Sequence, residues 1–179
     1  KVLARVDDDV LYAPSRFAAW LTGEADRYEK SHPRTRVPFV PATVKLEAAE
    51  ASERPVCTEL DAARKDGRRA LVYVGRSAPS SEEASTAETK AELRAVKKFE
   101  KDVLGSKRAA EAVPTDGDDP WVLVRLDLSD ATHAKFAASL GVTKAPALVV
   151  IAPKLDAPKT LPTVTSGASL AHQLDKLFE

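Results

Sequence analysis

A proline placed directly before an unbroken apolar run constrains the fold of this chain more than any other feature. Residues 141–151 read GVTKAPALVVI, so Pro146 stands at the entry to the apolar run 147–151. Proline gives no N–H to a strand ladder and is normally confined to strand starts, edges or bulges. An X-Pro bond at such a corner is a candidate for a cis peptide, which is usually kept where a tight turn is needed. The segment therefore predicts a tight turn that leads into a buried strand.

The length and charge of the chain exclude several classes of protein. Its 179 residues suffice for one domain with a real core and an extension. Lysine plus arginine and aspartate plus glutamate are equal at 27 each, so no net field attracts nucleic acid or an anionic membrane surface. The longest apolar run has about seven residues, which is too short to span a bilayer. We expect neither a nucleic acid partner nor a transmembrane segment.

A single cysteine, Cys57, limits the redox chemistry that the sequence allows. One thiol can form neither an internal disulfide, nor a CxxC pair, nor a cysteine-based zinc site. We interpret Cys57 as a small hydrophobic residue on a helix, and the alternative is a bond to another chain. The sequence begins at Lys1 and contains no methionine, which indicates a processed product and favours an organelle lumen or a periplasm over the cytosol.

The first part of the chain combines predicted secondary structure with a proline-rich arm. A short strand is predicted at 2–6, and apolar spacing predicts an amphipathic helix at 15–28. Residues 32–41 contain three prolines and form an extended arm that cannot be helical. Such an arm needs a surface to lie on, which is either the back of its own domain or a neighbouring subunit.

Helical spacing then returns over residues 44–64, and Pro55 marks a break or a new first turn within it. The change in composition near this proline suggests two parts of the chain. We place a partly helical, proline-rich extension at 1–54 and a second domain at 55–179.

The second domain alternates between helices and strands. Short apolar runs predict buried strands, whereas amphipathic spacing and capping motifs predict helices. Strands are predicted at 70–74, 121–126, 147–151 and 160–165, and helices at 80–104, 131–140 and 169–178. Residues 106–120 are predicted to be a polar insertion, in which the DGDD sequence forms a solvated turn because the alternating spacing of a calcium loop is missing.

The order of these elements and the proline-led strand together resemble the thioredoxin fold. In that family a βαβ half and a linking helix precede a ββα half that begins at a cis-proline. Residues 141–150 resemble its Gly-Val-x-x-x-Pro-Thr-Leu signature, and residues 71–74 resemble its central strand. The SAPS motif at 77–80 stands where thioredoxins carry Cys-Gly-Pro-Cys. The resemblance covers residues 56–179 and implies a three-layer α/β fold, with a mixed central sheet and helices on both faces.

Three parts of the thioredoxin redox site are replaced in this sequence. Ser77 and Ser80 stand at the cysteine positions, and a serine provides neither a low-pKa thiolate nor a resolving thiol. Arg76 replaces the aromatic residue that precedes the first cysteine. The buried acid of active members falls near Val72 or Tyr73, neither of which is acidic. The resemblance therefore implies a redox-inactive member without dithiol–disulfide oxidoreductase activity.

The resemblance also implies a shallow groove around the proline and the helix start. An extended peptide can pair with the backbone there by edge addition. The predicted lining residues are Arg76, Ser77, Pro79, Ala145 and Pro146. We expect a non-catalytic protein that acts through protein–protein binding, as a structural or accessory subunit of a larger assembly. The alternatives are a soluble chaperone-like or adaptor protein that binds extended peptides in the groove, and a glutathione-linked enzyme that uses Ser77.

The sequence gives no pattern for a catalytic base, a cofactor or a metal. A hydrolase built on Ser77 needs a base, but His32, His133 and His172 lie in the arm and in two later helices. No two of these histidines have the spacing of metal ligands. Ser80 is interpreted as a helix cap. We therefore expect no cofactor and no metal, and one or more protein partners.

Overall fold

The computed structural model of the protein describes residues 37–49, 52–78 and 86–179. The first predicted strand, the first predicted helix and the beginning of the proline-rich arm lie outside the described residues. Pro79 and Ser80, at the end of the SAPS motif, also lie outside them. All of the described residues belong to one structural unit, which begins at residue 36.

Helices and strands alternate along the described residues. The strands are β1 (Val40–Pro41), β2 (Val44–Ala49), β3 (Ser52–Cys57), β4 (Ala70–Gly75), β5 (Val122–Asp127), β6 (Ala147–Ile151) and β7 (Lys159–Thr160). The helices are α1 (Thr58–Lys65), α2 (Ala87–Phe99), α3 (Lys107–Ala112), α4 (Ala131–Ser139) and α5 (Gly167–Phe178), and a π-helical segment, Glu100–Leu104, continues α2. The strands predicted from residues 70, 121 and 147 are confirmed to within one residue. The strand predicted at 160–165 is shorter than expected, since β7 ends at Thr160.

Five strands form one mixed sheet in the order β1-β5-β4-β6-β7. β1 and β4 run parallel to β5, whereas β6 runs antiparallel to β4, and β7 antiparallel to β6. In the centre of the sheet, Val72 lies opposite Val124 on one side and Val149 on the other. A parallel half followed by an antiparallel half is the thioredoxin-like arrangement that the resemblance implies. The predicted fold class is therefore confirmed.

The central strand β4 separates two apolar layers, and all six of its residues are buried. Side chains alternate across a strand, so Val72 and Val74 pack with one cluster while Leu71 and Tyr73 pack with the other. The first cluster includes residues of α1 and α4, and the second includes residues of α3 and α5. Each fully buried aliphatic side chain contributes about 1.5–3 kcal/mol of transfer free energy. None of the helices in the described part of the chain is long and apolar enough to cross a membrane.

The prediction of a helix over 44–64 is wrong for its first part. β2 and β3 form an antiparallel hairpin in which Val44 lies opposite Cys57, and only the residues after Cys57 are helical. Cys57 thus ends a strand instead of lying on a helix. Pro55 lies opposite Leu46 in this two-stranded ribbon, where a strand edge needs no N–H from it. Helical spacing in this stretch is overridden by the strand pairing, because local propensity is weaker than tertiary context.

Residues from 37 onward contribute to the sheet and core, although the sequence analysis assigned them to an extension. Val37 is 6% exposed and donates its N–H to the carbonyl oxygen of Leu104 at 3.1 Å. β1 pairs with β5, and Ala42 donates its N–H to the carbonyl oxygen of Arg125 at 2.9 Å. The described part of the proline-rich arm therefore lies on its own domain. The boundary expected between residues 54 and 55 falls inside the described unit.

The predicted polar insertion at 106–120 contains an ordered helix, α3. Ser106 caps it, because its hydroxyl oxygen accepts the Ala109 N–H at 3.2 Å and donates to the Val103 carbonyl oxygen at 2.8 Å. α3 packs on α5, where Gly167 allows a close approach. A Cβ at residue 167 would lie 1.8 Å from the Ser106 hydroxyl oxygen and 2.9 Å from the Ala109 nitrogen. The insertion is therefore part of the packed layer and not only a solvated loop.

Candidate functional site

The carboxyl ends of β4 and β5 bring Ser77 beside Asp127. Because these strands are parallel neighbours, the residues that follow them emerge at the same edge of the sheet. Ser77 donates its backbone N–H to Asp127 Oδ1 at 2.9 Å, and its hydroxyl donates to Asp127 Oδ2. Ser129 donates its N–H to Asp127 Oδ1 and its hydroxyl to the carbonyl oxygen of Ser77, both at 2.9 Å. These three residues form a closed hydrogen-bonded group.

This group keeps the Asp127 carboxylate charged. Partial burial alone would raise the pKa of Asp127, but hydrogen bonds from the Ser77 hydroxyl and from the Ser129 and Ser77 amides lower it below its ordinary value. A carboxylate with a lowered pKa is a weak general base. The Ser77 hydroxyl therefore has an acceptor beside it, but not a base suited to removing its proton.

His133 connects the end of β5 with the residues that follow β1 through two hydrogen bonds. Its Nδ1 accepts the Asp127 backbone N–H at 3.2 Å, and its Nε2 lies 3.1 Å from the carbonyl oxygen of Ala42. The neutral tautomer with its proton on Nε2 satisfies both bonds. His133 is thus a structural bridge, while His172 is exposed on α5. Within the described ranges, no three His, Cys, Asp or Glu side chains form a group that could hold a metal.

Glu92 on α2 connects Arg76 with the residue that precedes the proline. Its Oε1 accepts the backbone N–H of Ala145 at 2.8 Å, and its Oε2 lies 2.7 Å from Arg76 Nε. The Arg76 N–H is not aligned with that oxygen, so this contact is an ion pair without a good hydrogen bond. The Ala145 donor, where an extended peptide would pair, is therefore occupied by a side chain of the domain itself.

Pro146 lies next to this contact. The Ala145–Pro146 peptide bond is cis, the isomer that the resemblance implies. A hollow of about 310 Å³ opens beside the proline. Its lining is mainly apolar and includes Phe99, Pro146, Leu148, Leu161 and Val164. The domain thus presents a small apolar surface next to an occupied backbone donor.

The structure brings the described members of the predicted groove to one end of the sheet, but in two groups. Arg76 and Ala145 are joined through Glu92, and Pro146 adjoins them. Ser77 is bonded to a different carboxylate, on β5. Pro79 lies outside the described residues.

Sequence reasoning missed both carboxylates, Glu92 and Asp127. Asp127 could have been found, because it directly follows the strand predicted at 121–126, and the two strands of a βαβ unit run parallel, so that the residues after them emerge at the same edge of the sheet. Glu92 gave no comparable signal. It is one charged residue among several on the surface of a helix, and only the folded chain places it against the backbone of Ala145.

The one cysteine of the sequence lies in a different part of the domain. Cys57 ends β3, is 1% exposed, and donates its S–H to Glu59 Oε2 at 3.2 Å. Burial and the neighbouring carboxylate raise the pKa of the Cys57 thiol to about 12. A buried thiol with this pKa is a poor nucleophile at neutral pH.

Comparison with known proteins gives a structural likeness to a thioredoxin. No protein-family model matches the chain, and no curated protein matches its sequence. The chain is similar to the solution structure of a thioredoxin from Thermus thermophilus, with 18% sequence identity and a TM-score of 0.42, over 67% of this chain and 81% of that one. The fold assignment rests on the strand order and directions described above and takes no support from this likeness.

Proposed function

We propose that this protein is a non-catalytic member of the thioredoxin-like fold class that acts by binding a protein partner, as a structural or accessory subunit of a larger assembly. One observation carries the proposal. The polar groups at the positions of a thioredoxin redox site already have partners within the domain, since the Ser77 hydroxyl donates to Asp127 and the Ala145 N–H donates to Glu92. The domain has a thioredoxin-like fold, but the polar groups at the positions that would react in a thioredoxin form hydrogen bonds within the domain.

The state of the single thiol supports the non-catalytic part of the proposal. Dithiol exchange needs a low-pKa thiolate and a second thiol that resolves the mixed disulfide. Cys57 is buried with a raised pKa, and the sequence contains no second cysteine. Neither requirement is met.

The surroundings of Ser77 disfavour a glutathione-linked enzyme. Such an enzyme would use the Ser77 hydroxyl to donate a hydrogen bond to a thiolate. That hydroxyl already donates to Asp127, whose lowered pKa keeps it negative at neutral pH. A thiolate beside Asp127 would be repelled by a like charge.

The hollow beside Pro146 favours a second candidate function, a peptide-binding adaptor. Its volume of about 310 Å³ and its apolar lining suit one apolar side chain of an extended peptide. In this function, the peptide backbone must displace Glu92 from the Ala145 N–H. Glu92→Ala should then tighten the binding of an extended apolar peptide, as measured by fluorescence anisotropy, whereas Leu161→Glu should weaken it. Equal affinities for the wild type and both variants would exclude this function.

A reductase assay tests the non-catalytic part of the proposal. Reduction of insulin by dithiothreitol is followed by turbidity, with a thioredoxin as the positive control. We expect this protein to leave the rate at that of dithiothreitol alone. An acceleration that disappears in Cys57→Ser would refute the proposal.

The native mass of the protein in an extract of its source tests the subunit role. We expect it to migrate on a native gel with a defined set of proteins, which mass spectrometry of the band identifies. Large exposed apolar side chains among the described residues are Val40 on β1 and Leu46 on β2, so Val40→Asp and Leu46→Asp are the variants to test for loss of comigration. Lys159→Asp, on the opposite edge strand, is the matched control. Migration of the wild type near its own 19.3 kDa would contradict the subunit role.

A further inference from the structure

A second pocket lies at the opposite end of the central strand from the site around Ser77. It is bounded by β3, α1, α4 and the loop that follows β6. The register of the sheet fixes this placement, because Ala147 lies opposite Val74 near the first site, whereas Ile151 lies opposite Ala70 and lines the pocket. Ala70 and Val74 are four positions apart along the strand, a span of about 13 Å. The pocket is therefore separate from the site around Ser77 and Pro146.

The pocket has the size and the apolar wall of a small-molecule site. Its volume is about 630 Å³, in the middle of the range of about 300–1,000 Å³ for ligand pockets. Leu60, Phe136 and Leu140 contribute apolar side chains from α1, from α4 and from the residue that follows α4. Leu60 and Phe136 also belong to the core cluster on this face of the sheet, so the wall is held in place by the packing of the domain.

Arginines supply the polar part of the same pocket. Arg54 from β3, Arg64 from α1 and Arg68 from the following loop all line it. Arg68 forms an ion pair with Asp66 at 2.7 Å, whereas Arg54 and Arg64 have no ion pair with any residue that the structure describes. Asp61 and Asp156 also line the pocket, so the lining has no net charge once the Arg68–Asp66 pair is counted as neutral, and Arg54 and Arg64 remain as arginines without an ion pair among the described residues. A guanidinium group without a partner is suited to a carboxylate or a phosphate, because its planar N–H donors match both.

We infer that this pocket binds a small amphipathic anion, with an apolar body against Leu60, Phe136 and Leu140 and one carboxylate or phosphate between Arg54 and Arg64. The inference is independent of the proposed function. The ligand could bind to this face whether the protein is an assembly subunit or an adaptor, so neither role requires or excludes it.

Titration of the full chain with soluble amphiphiles tests the inference. The probes are decanoate, decyl phosphate and decylamine, and binding is followed by isothermal titration calorimetry and by ¹H–¹⁵N chemical shifts. We expect the anions to bind and to shift amides of α1, β3 and α4, while decylamine does not bind. The double variant Arg54→Gln/Arg64→Gln should lose about tenfold or more in affinity for the anions. The control Arg94→Gln/Arg108→Gln removes the same charge from α2 and α3 and should stay within about twofold.

A pocket-filling variant keeps the test decisive if the arginine variant folds poorly. Leu140→Trp should block the anions while the rest of the spectrum stays native. Vesicles that contain an anionic phospholipid distinguish a free amphiphile from a lipid headgroup, and we expect no cosedimentation with them. The inference is overturned if no anion binds at millimolar concentration, if decylamine binds as well as decanoate, or if the shifts cluster around Pro146.

Discussion

Replacing Glu92 separates its two roles. The carboxylate accepts the N–H of Ala145 at 2.8 Å and lies 2.7 Å from Arg76 Nε. Glu92→Ala removes both contacts. Glu92→Gln removes the charge but keeps an oxygen that can accept the Ala145 N–H. The two variants therefore differ in whether this backbone donor keeps a partner.

The burial of Ala145 determines how much less stable Glu92→Ala is than Glu92→Gln. Ala145 is 8% exposed, so Glu92→Ala leaves its N–H away from water, at a cost of about 1–3 kcal/mol. The ion pair is partly exposed, with 27% of the Arg76 side chain and 17% of the Glu92 side chain accessible, so its loss adds only about 0–1 kcal/mol. The two costs together amount to about 1–4 kcal/mol, and we expect Glu92→Ala to lower the free energy of unfolding by about 2–3 kcal/mol, in the middle of that range. Glu92→Gln should lower it by about 1 kcal/mol or less.

Urea denaturation and amide hydrogen exchange measure this prediction. The Ala145 amide should exchange at least about tenfold faster in Glu92→Ala than in Glu92→Gln, since about 1.4 kcal/mol of lost protection is a factor of ten. The control is Glu88→Ala, an exposed acid in the first turn of the same helix, which should cost about 0.3–1 kcal/mol through the helix dipole. The reasoning is refuted if the alanine and glutamine variants are equally stable and exchange at Ala145 is the same in both.

Three further predictions follow from the packing and the titrating groups. Gly167→Ala should cost about 1–3 kcal/mol in urea denaturation, because its Cβ would lie 1.8 Å from the Ser106 hydroxyl oxygen, and the cost should be smaller in a Ser106→Ala background. Cys57, with a thiol pKa of about 12, should react with a disulfide reagent at pH 8 at least about a thousandfold more slowly in the folded than in the unfolded chain; similar rates would contradict its burial. Asp127→Asn should destabilise the domain at pH 7, and its effect should shrink as the pH falls from about 4 through the lowered folded-state pKa, because a carboxylate with a lowered folded-state pKa stabilises above its unfolded pKa and loses that contribution on protonation; an effect that does not shrink on acidification would contradict the assignment.

The sheet could be predicted from the sequence because its central strands are continuous apolar runs. Both faces of β4 are covered by helices, so its residues need no polar alternation, and such runs bounded by turn residues are recognisable. Pro146 then marked the start of the antiparallel half. The strands of the β2–β3 hairpin could not be recognised in this way. Its stretch fits helical spacing, and its strands were identified only by the pairing of Val44 with Cys57.

The candidate site, too, could be predicted only in part from the sequence. The SAPS motif and Pro146 could be located from the sequence because they follow or precede apolar strands. The hydrogen-bond partners of Ser77 and Ala145 depend on which residues the fold brings to them, which are Asp127 at the end of β5 and Glu92 on α2. The spacing of 53 residues between Glu92 and Ala145 has no local signature. The α3 helix was missed for a related reason, since it packs mainly through small residues such as Ala109 and through the absence of a side chain at Gly167.

The bond between Glu92 and Ala145 also bears on where a partner binds. A peptide that pairs with the backbone at Ala145 must first displace a charged acceptor, and a hydrogen bond to a charged group is worth about 1.5–3 kcal/mol. That cost lowers the affinity of such a peptide by about one to two orders of magnitude. A partner that covers Val40 and Leu46 displaces no internal bond of this kind and removes apolar surface from water. This difference is the reason to place the proposed subunit contact at Val40 or Leu46 and not at the backbone beside the proline.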